Sequence, residues 1–501
     1  MRMNFRVMAM LACMGTCIAG AVNAEEAAQD VFYRQRIAEA LAVAGSDQHA
    51  RADKLMDQIL AAPDFQSLPA AERSSLLSRA ALVAWQNERV DVARQRYAEL
   101  ARQGSDNPDD WYRMAGVALQ QGDKNGAAEA MTEFAARWPE YLDNTSSELL
   151  NLLAAQGDTS SPARIGFQQA LFDANWKGGD SSTPGNIWFL LARARLEQGD
   201  TEAARMVVRR IQEPDSLISM RADRRFDALL DPNSPRADVM LATERQIQLL
   251  RTRAQVFPDR LEPLLQLSYM LLFAGRDQEA LDLSDATIAR ITAANSEQAA
   301  FTDLDKQVWL MNNRAIALRR MGRIDEAEAE MKRASQLGEN GTDNVSQVLN
   351  LGDMACMRGN AKQAAALAES APTANLSGYG KAVAASIRHC AGVVDSNTRL
   401  RRQSLAQLHE LRDEAPMPYL DALIQDDQEA ALRFMQELLD SPTKRNQALD
   451  WAQDCRQPDA LPGQIAARQR EADFLGRADV RAAIEKVGRI ERYELYCHLG
   501  Q

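Results

Sequence analysis

This sequence has few histidines and lacks the common sequence motifs of catalytic sites. Its four histidines are His49, His389, His409 and His498, and none has a partner at the spacing of a metal site. The chain has no nucleophile elbow, zinc-protease motif, phosphate-binding loop or glycine-rich dinucleotide motif. We therefore expect no metal, no cofactor and no enzyme activity. An enzyme with an unrecognised site stays as an alternative.

Long hydrophobic runs are also missing after the N-terminus, where no stretch approaches the ~18 apolar residues of a membrane helix. The first residues are basic, Val7–Ala21 is apolar, and a small-residue site ends at Ala24. This pattern is typical of a secretory signal peptide cleaved after Ala24. A membrane anchor and acylation at Cys13 or Cys17 are the alternatives. We expect an exported chain that lies in the periplasm of a Gram-negative-type cell.

Basic residues are outnumbered by acidic ones. Lys and Arg total 58 and Asp and Glu total 70, so the formal net charge is −12. Removal of the leader takes away two arginines and leaves 56 basic residues against 70 acidic ones, a balance of −14. Because nucleic-acid binding depends on basic surface that neutralises phosphates, the charge argues against a nucleic-acid partner.

Length and composition favour a helical array over one compact core. A single core rarely grows to 501 residues, so several domains or a repeat array are expected. Aromatic residues make up only 6% of the chain, whereas Ala, Leu, Arg, Glu and Gln are abundant. These residues have high helix propensity, and no β-rich run interrupts them.

A periodic stretch from Trp111 to Pro139 shows what the array is built from. Trp111, Met114 and Ala115 form one face of a first helix, Gly122-Asp123 makes a turn, and Ala127 and Met131 lie four residues apart on a second helix. This pattern resembles the tetratricopeptide repeat, a pair of antiparallel helices. The resemblance implies an all-α fold, a right-handed α-solenoid of roughly seven to nine helix pairs in two blocks.

The repeat pattern divides the chain into five segments. Proline-rich, charged sequence interrupts the period between the two blocks, and the period is lost again near the C-terminus. We predict a signal peptide (1–24), an N-terminal block (25–213), a junction (214–238), a C-terminal block (239–414) and a helical C-terminal cap (415–501).

The four cysteines outside the leader suggest two disulfides in an oxidising compartment. Their order favours pairing Cys356 with Cys390 and Cys455 with Cys497. The first pair is one repeat length apart, which puts both residues on first helices. Packed helices lie about 8–10 Å apart, whereas the Cα atoms of a disulfide lie about 4.4–6.8 Å apart. The first bond therefore requires an irregular stack or a one-turn offset, and buried free thiols are the alternative.

Two sets of residues are candidate binding sites. In the family, certain first-helix positions line the concave face. They correspond here to Tyr112, Phe189, Arg193, Tyr269, Trp309, Asn312, Arg319 and Arg320. Aromatic and arginine side chains suit partner binding, although packing between repeats would also explain them. The second set is Arg221, Arg224 and Arg225 in the junction, which would bind an anion or a partner carboxylate. The alternative there is a charged linker with Phe226 in the core.

The resemblance and the export signal together predict a periplasmic, non-catalytic scaffold. It would bind a protein or peptide of the cell envelope on its concave face. A subunit of an envelope polysaccharide-export or outer-membrane assembly complex is the alternative, which the sequence does not separate from the first. The oligomeric state is left open.

Overall fold

The computed structural model describes residues 31–155, 160–179, 184–294, 300–339, 341–371 and 376–497. The predicted signal peptide, 1–24, lies outside these residues. The chain forms two compact units that divide between Trp176 and Lys177. We call them unit 1 and unit 2. The division falls within a turn-rich stretch, and the domain limits predicted at 213, 238 and 414 stay predictions.

Unit 1 is a series of antiparallel helix pairs. Its described helices are α1 (31–44), α2 (His49–Ala61), α3 (Ala70–Gln86), α4 (Val90–Arg102), α5 (Pro108–Gln120), α6 (Lys124–Arg137), α7 (Ser147–Ala155) and α8 (Pro162–Asp173). Consecutive helices pack in the pairs α3–α4, α5–α6 and α7–α8.

The turn between α5 and α6 forms as the sequence predicts. Gly122 has φ +76°, a left-handed conformation that glycine adopts without steric cost. Asp123 then caps α6, because its carboxylate accepts a hydrogen bond of 2.8 Å from the Gly126 amide. Ala127 and Met131 are fully buried, so the small alanine lets the two helices approach closely.

Successive repeats of unit 1 interlock through Trp85 and Gly116. A Cβ added at Gly116 would lie 2.8 Å from the Trp85 indole, so only glycine leaves room for this ring. Trp85 Nε1 also donates a hydrogen bond of 2.7 Å to Gln120 Oε1. The tryptophan at the end of one first helix thus fixes the position of the next.

Unit 2 begins with the same architecture. Its helices are α9 (Gly185–Glu197), α10 (Thr201–Val208), α11 (Pro214–Ala222), α12 (Val239–Val256), α13 (Glu262–Phe273), α14 (Asp277–Ala293), α15 (Gln307–Arg320), α16 (Ile324–Ala334), α17 (Ser346–Met357), α18 (Ala361–Ser370), α19 (Gly378–Val394), α20 (Thr398–Glu410), α21 (Pro416–Asp426), α22 (Gln428–Asp440), α23 (Arg445–Trp451), α24 (Ile465–Gly476) and α25 (Ala478–Val487). The all-α solenoid is confirmed.

A short parallel strand pair in the last 50 residues is a feature that the sequence did not predict. Strand β1 (Asp454–Cys455) pairs with β2 (Arg492–Tyr493). We call residues 453–497 the C-terminal segment. This segment folds back onto unit 2 and does not simply extend the array.

Three backbone amides of the C-terminal segment bind carbonyl oxygens at the ends of three helices. Arg489 N donates to Ala222 O of α11 (2.9 Å), Tyr496 N to Phe273 O of α13 (2.9 Å), and Gly463 N to Met357 O of α17 (2.8 Å). The last carbonyls of a helix have no partner within it. The segment therefore supplies hydrogen bonds that these helix ends lack.

Both predicted disulfides are confirmed. Cys356 and Cys390 have Cα atoms 6.3 Å apart, and those of Cys455 and Cys497 are 5.7 Å apart. The first bond joins α17 to α19, which approach closely at Gly352, one turn before Cys356. A Cβ added at Gly352 would lie 3.4 Å from Ile387 of α19, so the glycine permits this approach. Within the described residues, no helix is long and apolar enough to span a membrane.

Candidate functional site

The C-terminal segment packs beside several first helices of unit 2 and, together with them, encloses part of a cavity of about 650 Å³. Its walls come from the first helices α13, α15, α17 and α19, from α21 and α24, and from the loop that follows β1. We call it the unit 2 cavity. Its volume falls within the range of small-ligand sites, which is about 300–1,000 Å³.

Three exposed aromatic rings line this cavity. Tyr269 on α13, Trp309 on α15 and Tyr379 on α19 are 42%, 37% and 63% exposed. In the part of unit 2 that the structure describes, these are the exposed tyrosine, tryptophan and phenylalanine side chains. The rings therefore lie on different repeats but face one cavity.

Three carboxyl groups face the same cavity with few hydrogen bonds. Asp421 accepts one of 3.0 Å from Trp451 Nε1. Within the described residues, no hydrogen bond to the carboxylates of Asp353 and Glu471 is formed, although the charges of Arg319 and Arg468 act on them. Burial raises the pKa of Asp353 to about 6 and that of Glu471 above its usual range. Burial, and then the nearby charge of Glu471, raise the pKa of Asp421 to about 7.

Three arginines line the same cavity. Nη1 of Arg319, on α15, lies 2.8 Å from the Met357 sulfur. Burial lowers the pKa of Arg319 to about 10. Arg468 on α24 donates to the Pro458 carbonyl oxygen, and burial lowers its pKa as well. Arg456 follows β1. The cavity is thus lined by three acidic and three basic side chains.

Asparagine side chains join neighbouring first helices beside the cavity. Asn350 Nδ2 donates to Asn312 Oδ1 at 3.0 Å, which links α17 to α15. Asn313 Nδ2 donates to Ser268 Oγ at 2.8 Å, which links α15 to α13. These bonds hold the helices that carry the aromatic rings at fixed positions, so the cavity is preorganised.

The structure brings together four of the predicted groove residues, namely Tyr269, Trp309, Asn312 and Arg319. Arg320 lies elsewhere. Its guanidinium is 3.7 Å from the centre of the Tyr496 ring and donates to Leu272 O at 2.7 Å, and its side chain is buried. The C-terminal segment therefore covers Arg320.

The other predicted groove residues are separate from the cavity. Phe189 is buried and stacks on Phe226, with ring centres 5.4 Å apart. Arg193 is buried and donates to Thr443 O at 3.2 Å. Tyr112 belongs to unit 1, where it is 39% exposed on α5.

The three junction arginines bind groups of unit 2 itself. Arg221 pairs with Glu491 at 2.6 Å, and Arg224 Nε donates to Glu485 O at 2.9 Å. Arg225 pairs with the fully buried Asp223 at 2.6 Å and also contacts Glu197 and Asn446. Intramolecular partners thus occupy all three guanidinium groups.

Several cavity residues were not found from the sequence. Asp421, Glu471 and Arg468 lie in the predicted cap, where no repeat pattern gives their orientation. Asp353 and Tyr379 lie on first helices, but the resemblance does not include their positions. The one local signal was the Gly463 turn. A Cβ there would lie 2.0 Å from the Cys356 carbonyl oxygen, so this glycine marks a close backbone contact.

Unit 1 has an open surface next to its repeats. A shallow depression of about 470 Å³ lies among α5, α6 and α8. Trp111, Met114, Glu129 and Glu133 contribute to its lining. Across the described residues, no group of three or more His, Cys, Asp or Glu side chains is arranged to hold a metal ion.

These observations define a helical-repeat protein, and comparison with known families agrees. Residues 78–141 match the sequence model of the tetratricopeptide repeat. The predicted resemblance to this family is confirmed, and the matched stretch lies in unit 1. Proteins built from tetratricopeptide repeats generally use them as protein-binding scaffolds, and unit 1 carries a stretch similar to these repeats.

Two comparisons concern whole proteins. No curated protein matches the chain. Among solved structures, the chain is similar to the APC/C hetero-tetramer Cut9–Hcn1, at 13% identity and a TM-score of 0.30 over 89% of this chain and 88% of that one. It is also similar to Naa15/Naa10 bound to HypK-THB, at 14% identity and a TM-score of 0.24 over 90% and 68%. At such low values, the partners of these proteins are not carried over to this chain.

Proposed function

We propose that the chain is exported to the periplasm and binds a protein or peptide of the cell envelope through unit 1. The observation that carries this proposal is the match of residues 78–141 to a protein-binding repeat. Tyr112 stays half-exposed on α5 of that stretch. In unit 2, by contrast, Arg320 of the predicted groove is covered by the C-terminal segment.

Site-specific cross-linking in cells tests the binding surface. A photoreactive residue replaces Tyr112, and Tyr269 and the exposed Tyr141 serve as comparison positions. We expect one reproducible envelope protein from Tyr112 and none from Tyr141. The purified partner should then bind the wild-type chain and bind Tyr112→Ala more weakly. Capture from Tyr269 alone would move the partner site to unit 2 and contradict the proposal.

The export proposal has its own test. The sequence motivates it, because a basic start, an apolar run and a small-residue site precede Glu25. We expect the mature protein in the periplasmic fraction, with Glu25 as its first residue by N-terminal sequencing. A chain that keeps its leader and stays with the cytoplasmic fraction would disprove export.

A further inference from the structure

We propose that the unit 2 cavity binds a neutral oligosaccharide. The proposal goes beyond the scaffold function and does not depend on it, because the cavity belongs to unit 2 and the proposed partner surface to unit 1. It follows from four properties of the cavity, namely its aromatic rings, its hydrogen-bonding groups, its mixture of acidic and basic side chains, and its shape.

The aromatic rings supply flat apolar surfaces. An aromatic face carries negative quadrupole charge and attracts weakly positive C–H groups. The faces of a pyranose ring present such C–H groups. Tyr269, Trp309 and Tyr379 are exposed aromatic side chains that would otherwise be costly to leave in water, and all three line one cavity.

The polar groups of the cavity include both donors and acceptors. The carboxylates of Asp353 and Glu471 have no hydrogen-bond donor among the described residues, so they have capacity to accept. Arg468 and Asn312 add N–H donors to the same lining. A hydroxyl group donates one hydrogen bond and accepts two, so a ligand rich in hydroxyls satisfies both kinds of group at once.

The mixture of acidic and basic side chains argues against a ligand with a strong charge of one sign. The acidic side chains are Asp353, Asp421 and Glu471, and the basic ones are Arg319, Arg456 and Arg468. His389 also lines the cavity, and its Nε2 lies 3.0 Å from Asp426 Oδ2. A strongly anionic or cationic ligand would meet like charges at short range, and such contacts cost free energy in a partly buried site.

The shape of the cavity argues for a short linear chain. Tyr269 and Tyr379 lie on α13 and α19, with α15 and α17 between them in repeat order. Since packed helices are separated by about 8–10 Å, α13 and α19 are several helix spacings apart, and a ligand that reaches both helices is longer than one monosaccharide. A cavity of about 650 Å³ in turn is too small for a folded protein domain.

The test uses the full mature chain and defined probes. Isothermal titration calorimetry would measure the binding of neutral tetrasaccharides of glucose, mannose, galactose and N-acetylglucosamine in α and β linkages. We expect at least one to bind, and its Kd to change by less than about twofold between ~0.05 and ~0.5 M salt, because no charges pair. A lysine-containing tetrapeptide serves as the charged comparison.

Matched variants locate the binding. Tyr379→Ala and Trp309→Leu should weaken the binding of that tetrasaccharide by about tenfold or more, since each removes a stacking surface. Tyr141→Ala, which removes an exposed tyrosine from unit 1, should leave Kd unchanged. Circular dichroism confirms that each variant is folded.

Three outcomes would overturn the proposal. The first is no binding by any of the tetrasaccharides. The second is binding that persists at the same Kd in Tyr379→Ala and Trp309→Leu. The third is binding of the tetrapeptide alone, with strong salt dependence, which would assign the cavity to a basic peptide. None of these results alters the cross-linking expected from Tyr112, so the two proposals fail separately.

Discussion

Units 1 and 2 use the same helix pairs, yet they differ in how their helix ends are completed. In unit 1, the Trp85–Gly116 contact joins one repeat to the next, so the packing is local in sequence. In unit 2, the C-terminal segment binds the ends of α11, α13 and α17. Long-range contacts thus turn part of an open repeat surface into a cavity. The comparison shows that a repeat pattern specifies pairs of helices but not the accessibility of their concave face.

The largest expected difference between the units comes from the disulfides, which lie in unit 2. Replacing Cys455 and Cys497 with serine should destabilise unit 2 by about 2–4 kcal/mol, because the unfolded chain loses a constraint. Hydrogen exchange followed by mass spectrometry would measure the protection of backbone amides in each unit separately. Protection of unit 1 should not change. An equal loss of protection in both units would show that they do not unfold independently.

Overpacking should affect each unit on its own. Ala127→Trp in unit 1 and Ala327→Trp in unit 2 place a large side chain at fully buried positions between paired helices. We expect each to lower the free energy of unfolding of its unit by about 1–3 kcal/mol or more. Chemical denaturation measures the free energy of unfolding of each variant. Ala61→Trp in unit 1 and Ala293→Trp in unit 2 are the matched controls, because both alanines are exposed. Normal stability of either buried variant would contradict the helix register.

A glycine in the C-terminal segment allows a finer test of unit 2. In Gly463→Ala, the new Cβ would lie 2.0 Å from the Cys356 carbonyl oxygen and 2.9 Å from that of Met357. We expect a loss of about 1–3 kcal/mol, as is usual for overpacking, with faster hydrogen exchange in residues 456–464. Gly476→Ala is the control, because no atom lies within 4 Å of its added Cβ. Similar exchange in both variants would mean that the contact does not hold the segment.

The smallest expected effect depends on pH. Burial raises the pKa of Asp450 to about 7, while Ser219 donates to its carboxylate at 2.9 Å. Because the folded state holds this proton more tightly than the unfolded state, the stability of unit 2 should fall as pH rises from about 4 to 7. In Asp450→Asn, the free energy of unfolding should fall by about 1 kcal/mol less over this pH range. The difference between the variant and the wild type should be smallest near pH 4. Thermal melts across this pH range would measure it, and a pH-independent difference would contradict the assignment.

The sequence predicted the parts of the fold that depend on local pattern. The Gly122–Asp123 turn, the buried Ala127 and the two disulfides follow from spacing within one or two repeats. The cavity does not follow, since contacts such as Arg221–Glu491 join residues 270 positions apart. No periodic signal in residues 415–497 shows where that part of the chain packs. For the same reason, sequence reasoning placed Arg320 in an open groove, whereas Tyr496 covers it.

The hydrogen bonds from Arg489, Tyr496 and Gly463 to three distant helix ends also bear on how the chain folds. Closing loops of more than 100 residues costs entropy before any contact compensates for it, and such contacts form late in folding. The repeats of unit 1 can pack one after another, since each needs only its neighbour. Unit 2 reaches its final form only after residues 453–497 have been synthesised. Its assembly therefore includes a late closing step, and before that step residues 453–497 do not yet cover the surfaces of α13, α15 and α17.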